Sequence, residues 1–129
     1  MELIYKDLSY QIVGALFDVH NEIGGGHKEK IYQRAVASSL ARRGIPFEEQ
    51  VRAELKVFED PVGYYFLDFL IDNKIILELK AKSFYRMADF RQATKYLQAL
   101  DLKLAILATF TTTSVRTRRV INFPDSELS

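Results

Sequence analysis

The stretch Phe66-Leu67-Asp68-Phe69-Leu70-Ile71-Asp72-Asn73-Lys74-Ile75-Ile76-Leu77-Glu78-Leu79-Lys80 constrains the fold more than any other part of the chain. Two apolar runs of strand length flank Asp72-Asn73, a pair suited to a tight turn between antiparallel strands. Charge interrupts both runs: Asp68 lies inside the first and Glu78 closes the apolar start of the second. An ionised group within an apolar strand is costly unless it is paired or bound to a metal. Side chains alternate along a strand, so Glu78 and Lys80 share one side while Leu77 and Leu79 share the other.

The turn sets a geometric condition. In a plain two-residue hairpin Ile71 would pair with Lys74, placing Asp68 opposite Leu77 and Glu78 on the opposite face. The two carboxylates meet only if the loop has an odd length, or one strand a bulge, that brings Asp68 opposite Glu78. Under that condition two carboxylates and one ammonium form a cation site with a basic group beside it. Without it, the Glu-x-Lys pattern is an ion pair on a half-exposed strand.

The rest of the chain supplies the elements around this hairpin. Leu8, Ile12, Leu16, Val19 and Ile23 recur at helical spacing over residues 7–23, and Gly24-Gly25-Gly26 stops the helix. A second helix is predicted from near His27 to Arg43, with Gly44 in the left-handed position after it. Glu29 precedes Val36 by seven residues, which places it on the inward stripe in the first turn, where the helix dipole favours a carboxylate. Residues 47–58 alternate as a half-exposed strand, and Asp60-Pro61-Val62-Gly63 reads as a turn. Strands follow over 64–71 and 74–81, then a helix marked by Met87, Phe90, Thr94 and Leu97. The unbroken apolar run 104–110 is a buried strand, and 115–123 is a last strand near an edge, given Arg116, Arg118 and Arg119. The expected architecture is one α/β domain over 1–129 with a mixed central sheet, order α-α-β-β-β-α-β-β, and a loose tail over 124–129. The third and fourth strands with the helix between them would form a right-handed parallel crossover.

Composition narrows the chemistry. The chain has no cysteine and two histidines, so disulfides and thiolate zinc sites are excluded and a bound metal would take mainly oxygen ligands, as magnesium or manganese does. No apolar run reaches the roughly 18 residues of a membrane span, and the first residues lack a secretory pattern, so the expected location is cytoplasmic and the partners do not include a membrane. The formal net charge is only +1, yet Lys and Arg outnumber Asp and Glu between Lys74 and Arg119, so one face can be basic.

Asp68 followed by Glu78-Leu79-Lys80 resembles the core motif of the PD-(D/E)XK nuclease superfamily, an Asp followed on the next strand by acid-x-Lys, with Leu67 in place of the usual proline. Gly26-His27-Lys28-Glu29-Lys30-Ile31-Tyr32 is similar to the GxxExxY signature of a small family within it, as are the flanks 19–24 and 43–47. Gln92-Ala93-Thr94-Lys95-Tyr96 resembles the QxxxY helix motif of RecB-like nuclease domains, and the likeness runs from about Leu3 to Phe123. It implies a restriction-endonuclease-like core and a nuclease that hydrolyses phosphodiester bonds in DNA, with RNA as the other option, by metal-activated water. Asp68, Glu78 and the backbone carbonyl of Leu79 would hold Mg²⁺ or Mn²⁺, with Glu29 completing or orienting the shell. Lys80 would position the attacking water. Gln92 and Tyr96, four apart on one helix face, would contact the substrate strand.

Other residues read differently. Gly24-Gly25-Gly26 is a turn rather than a phosphate cradle, because no strand precedes it. His20 is a hydrogen-bonded structural histidine, and His27 lies where it could approach the site. Tyr64, Tyr65 and Phe66 could stack on bases, while their alternation also fits core or sheet-surface positions. Arg116, Arg118 and Arg119 could contact phosphates or simply be solvated. Two competing readings remain: a non-catalytic module that binds nucleic acid or protein, and a homodimer or subunit whose partner supplies specificity.

Overall fold

A computed structural model describes residues 4–80, 82 and 84–122. Expectations for Leu3, Ala81, Phe123 and the 124–129 tail lie outside the described residues. Helices α1 (Lys6–Ile23) and α2 (Glu29–Arg42) are followed by strands β1 (Phe47–Val57), β2 (Asp60–Ile71) and β3 (Ile75–Lys80). Helix α3 (Met87–Leu100) and strands β4 (Leu104–Phe110) and β5 (Val115–Ile121) complete the expected order. The five-stranded sheet runs β1-β2-β3-β4-β5, antiparallel throughout except for the parallel β3–β4 pair that flanks α3.

The sheet separates two apolar layers. On one side Ile12, Leu16 and Val19 of α1 and Tyr32, Val36 and Leu40 of α2 pack on Phe69, Ile71, Leu77 and Ile106. On the other, Ala93, Tyr96 and Leu97 of α3 cover Leu67, Ile76, Ala105 and Leu107. Strands β3 and β4 are buried on both faces, β4 as the unbroken apolar run and β3 with Glu78 set into it. No helix among the described residues is long and apolar enough to cross a membrane.

Two details differ from expectation. The first hairpin turns at Phe58-Glu59, both left-handed (φ 51° and 70°), so residues 60–63 belong to β2. Pro61 is tolerated because it lies at a register shift and beyond the part of β2 that pairs with β3. The second detail is a change of face halfway along the same hairpin. Phe47 and Phe69 pack with the α1/α2 layer, whereas Val51, Ala53 and Leu67 pack with α3, although all five have the same parity. Both strands turn over where Gln50 takes φ 51° opposite Asp68.

Candidate active site

The turn after β2 meets the condition that the carboxylates impose. Asp72 and Asn73 are both left-handed, which short polar side chains tolerate, and the Lys74 N–H donates to the Ile71 carbonyl at 2.9 Å. Lys74 is then an extra residue, because pairing resumes as Ile71↔Ile75, Leu70↔Ile76 and Phe69↔Leu77. One step further in that register sets Asp68 opposite Glu78.

At that step side chains replace the backbone ladder. The Asp68 N–H donates to Glu78 Oε1 at 3.2 Å, and the Leu79 N–H donates to Asp68 Oδ2 at 2.8 Å. Each carboxylate thus satisfies a backbone N–H of the opposite strand, a reciprocal arrangement that locks both side chains in the gap. Gln33 of α2 fixes the Asp68 backbone from above, donating to its carbonyl at 3.1 Å and to Glu49 Oε1 at 3.2 Å.

Glu78 is only 6% exposed. Burial, the Asp68 charge and a hydrogen bond with the Asp68 carboxyl raise its pKa from 4.5 to about 9, against smaller opposing contributions from the Asp68 backbone and Lys80. Glu78 is therefore held protonated well above the usual carboxylate range. Glu29, the first residue of α2, is exposed rather than inward; burial and the Asp68 charge raise its pKa while Lys80 lowers it, so the three groups are electrostatic neighbours. Glu29, Leu79 and Lys80 line one cleft of about 390 Å³, with Tyr32, His27 and Phe110.

The clasp that places Glu29 is visible in full. The Tyr32 hydroxyl donates to the Gly24 carbonyl at 2.7 Å and accepts from the His27 N–H at 3.3 Å, while its ring stacks on Phe110 at 4.1 Å. A side chain at Gly25 would meet the Thr111 carbonyl at 2.5 Å, so the loop presses against the end of β4. His20 bonds the Thr111 carbonyl at 2.8 Å, the structural part expected of it. His27 reaches the cleft wall, but its ring bonds the Ile23 carbonyl at 2.6 Å.

On the α3 side, Lys80 Nζ donates to Gln92 Oε1 at 3.0 Å. Tyr96 is buried, edge-on to Tyr65 at 5.3 Å; burial, then the charges of Glu78, Tyr65 and Asp68, hold its hydroxyl neutral by raising its pKa. Gln92 thus lies against Lys80, and Tyr96 is an electrostatic neighbour of Glu78 and Asp68. Arg116 and Arg118 are exposed on edge strand β5, with Arg118 6.0 Å over the Tyr85 ring. Arg119 is not brought to the site. One residue out of phase with Arg118, it faces α1 and donates to Ser9 Oγ at 2.8 Å and the Ile4 carbonyl at 2.6 Å.

Three neighbours went unremarked in the sequence. Thr109 Oγ1 donates to the Lys80 carbonyl at 2.8 Å and also to that of Lys82, tying the end of β3 to β4. Asp89, 7% exposed, pairs with Lys82 at 2.8 Å and accepts from the Arg86 N–H at 2.8 Å. Burial pushes its pKa up, but the bonds from Lys82 and Arg86 outweigh that and lower it. The spacing of Gln33, four after Glu29, was the one available signal.

The donor set suits a hard cation. Two carboxylates on facing strands, with no cysteine and both imidazoles bonded to backbone carbonyls, would suit Mg²⁺ or Mn²⁺ rather than a soft metal. Among the described residues no three His, Asp or Glu side chains form a metal cage by themselves. A metal held here would take its further ligands from backbone, from water or from Glu29 after movement.

This combination of a split β2–β3 ladder, an opposed acid pair and a neighbouring lysine on an α/β/α core defines a nuclease-type scaffold. The family model of the PD-(D/E)XK nuclease superfamily matches residues 6–120, and the chain belongs to that superfamily. Among solved structures it is similar to the crystal structure of SSO0001, at 20% identity and a TM-score of 0.57. The alignment covers 75% of this chain and 51% of that one, so this chain spans about half its length, and the likeness is one of fold. A search of curated proteins finds no match.

Proposed function

We propose that this chain is a metal-dependent nuclease that hydrolyses phosphodiester bonds in DNA, of the GxxExxY group within its superfamily. The observation that carries the proposal is the gap between β2 and β3, where Asp68 and Glu78 face each other through reciprocal backbone bonds. Asp68, Glu78 and the Leu79 carbonyl would hold Mg²⁺ or Mn²⁺, with Glu29 on the cleft side. When bound, the ion polarises the scissile phosphate and lowers the pKa of water. Lys80 has one proton committed to Gln92 and two still to donate, so its ammonium can orient water and offset charge developing on the phosphate. Arg116 and Arg118 lie on the same side of the sheet as α3 and can take up neighbouring phosphates. The Tyr32 clasp, which sets the entry of α2 and hence Glu29, supports the GxxExxY assignment, and the Lys80–Gln92 bond supports the RecB-like one.

The test is incubation of the wild type, Asp68→Ala and Lys80→Ala with single- and double-stranded DNA and RNA plus Mg²⁺ or Mn²⁺. Cleavage by the wild type should fall by on the order of 100-fold or more in both variants. Equal residual cleavage in all three would refute the assignment. Binding without cleavage would leave a nucleic-acid-binding module.

A further inference from the structure

The β1–β2 hairpin continues well past the three residues of β2 that pair with β3. Beyond Gln50 and Asp68 it is a two-stranded arm. One face of the arm, with Ala53, Leu67 and Tyr65, packs on α3. The other face carries Tyr64 and Phe66, and these stay 51% and 53% exposed. Tyr64 and Phe66 meet edge to face at 5.4 Å, and the Arg52 guanidinium lies 4.1 Å over the Tyr64 ring.

The arm ends at the acid pair, Phe66 being two residues, about 7 Å of strand, from Asp68. Its inner border is α2. Gln33 turns toward the arm, and Lys30, about 60° further round the helix, is exposed. Arg52 lies against the aromatic pair, Glu54 stands opposite Tyr64, and Glu49 is held by Gln33 at the α2 border.

We propose that this face binds single-stranded DNA, with unpaired bases stacking on Tyr64 and Phe66 and the strand running on toward Asp68 and Glu78; its direction, though not its existence, rests on the nuclease reading. Ring faces accept any base, but only one that is out of a duplex. Arg52, seated against the rings, can answer a backbone phosphate beside a stacked base. Ring planes and cationic tips lack the built set of hydrogen-bonding groups that would read a 2′-hydroxyl.

The chain has no tryptophan, so Tyr64→Trp places a single indole on this face. Titration of that variant in EDTA with an oligothymidylate of about 12 nucleotides should quench its emission to saturation, while a blunt duplex should not. In anisotropy the Tyr64→Ala/Phe66→Ala double variant should bind the oligonucleotide about 10- to 100-fold more weakly, with an unchanged Tm. Absence of binding by the wild type, equal affinity in the double variant, equal quenching by duplex, or tighter binding of an oligouridylate would each overturn the proposal. A lower molar mass for the double variant in light scattering, at unchanged DNA affinity, would give the face to a second copy. Because EDTA removes cleavage from the measurement, the two readings fail separately. A protein that cuts nothing yet loses binding in the double variant keeps the stacking face and loses the nuclease. One that cuts while the variant binds normally does the reverse.

Discussion

Two charged clusters sit at the two ends of one short segment, and they are built on opposite principles. Asp89 is buried with its charge answered by the Lys82 ammonium and the Arg86 N–H, and its pKa is lowered. Glu78 is just as buried, but its nearest charge is the Asp68 carboxylate, and its pKa is raised to about 9. The first cluster fastens the start of α3 to the residues after β3. The second costs stability unless something positive enters. Burial of an acid therefore does not mark a functional site by itself; the sign of the pKa shift separates the two.

The sharpest way to break the comparison is Glu78→Gln. The charge-neutral isostere removes a ligand and should abolish cleavage, by on the order of 100-fold or more. In chelator it should nevertheless stabilise the protein. Because the folded-state pKa is raised, protonated Glu78 contributes its full stability below its ordinary value of 4.5 and loses it as pH rises toward about 9. The loss is at most about 1.4 kcal/mol per pH unit in that window. Thermal melts in EDTA should thus show the variant level with the wild type near pH 4.5 and above it by several degrees near pH 8. An unchanged or lower Tm at pH 8 would mean that the wild-type pair is not strained.

Asp89→Asn tests the other cluster and should move stability the other way. It removes the charge that pairs with Lys82 and weakens the cap on the first turn of α3, for a loss of about 1–2 kcal/mol at neutral pH. Here the folded-state pKa is lowered, so the contribution is present above the ordinary value of 3.8 and fades as pH falls below it. The Tm deficit of the variant should therefore shrink in acid. A deficit that persists at pH 3 would assign the effect to shape rather than charge.

How much of this was legible depended on whether a residue's neighbours were local. The element order, the buried runs of β3 and β4 and the edge position of β5 follow from apolar patterning, which the sheet reads directly. The opposition of Asp68 and Glu78 could be posed only as a condition, because whether Lys74 pairs or bulges depends on the hairpin as a whole. The turn at Phe58-Glu59 was hidden because neither residue favours left-handed backbone, while Pro61 and Gly63 nearby do signal a turn. The change of face at Gln50 was hidden for the same reason, and with it the exposure of Tyr64 and Phe66. Arg119 was grouped with Arg116 and Arg118 by composition, but a strand separates neighbours one residue apart. Thr109 acts across the fold on Lys80, and nothing local in the sequence announces that contact.

The smallest expected effect is the one that decides what Gln92 does. The sequence likeness implies a substrate contact, whereas the structure shows its carbonyl oxygen accepting from Lys80 at 3.0 Å. A residue that holds the ammonium in place should alter turnover, because the orientation of Lys80 matters once the phosphate is bound; a residue that grips the strand should alter KM. Gln92→Ala should then lower kcat by about 3- to 10-fold, at roughly one neutral-to-charged hydrogen bond, with KM little changed. Gln92→Glu should lower it further, since a carboxylate pairs with Lys80 and neutralises the charge that the phosphate needs. If KM rises in both variants and kcat does not fall, Gln92 belongs to the substrate and Lys80 finds its own orientation.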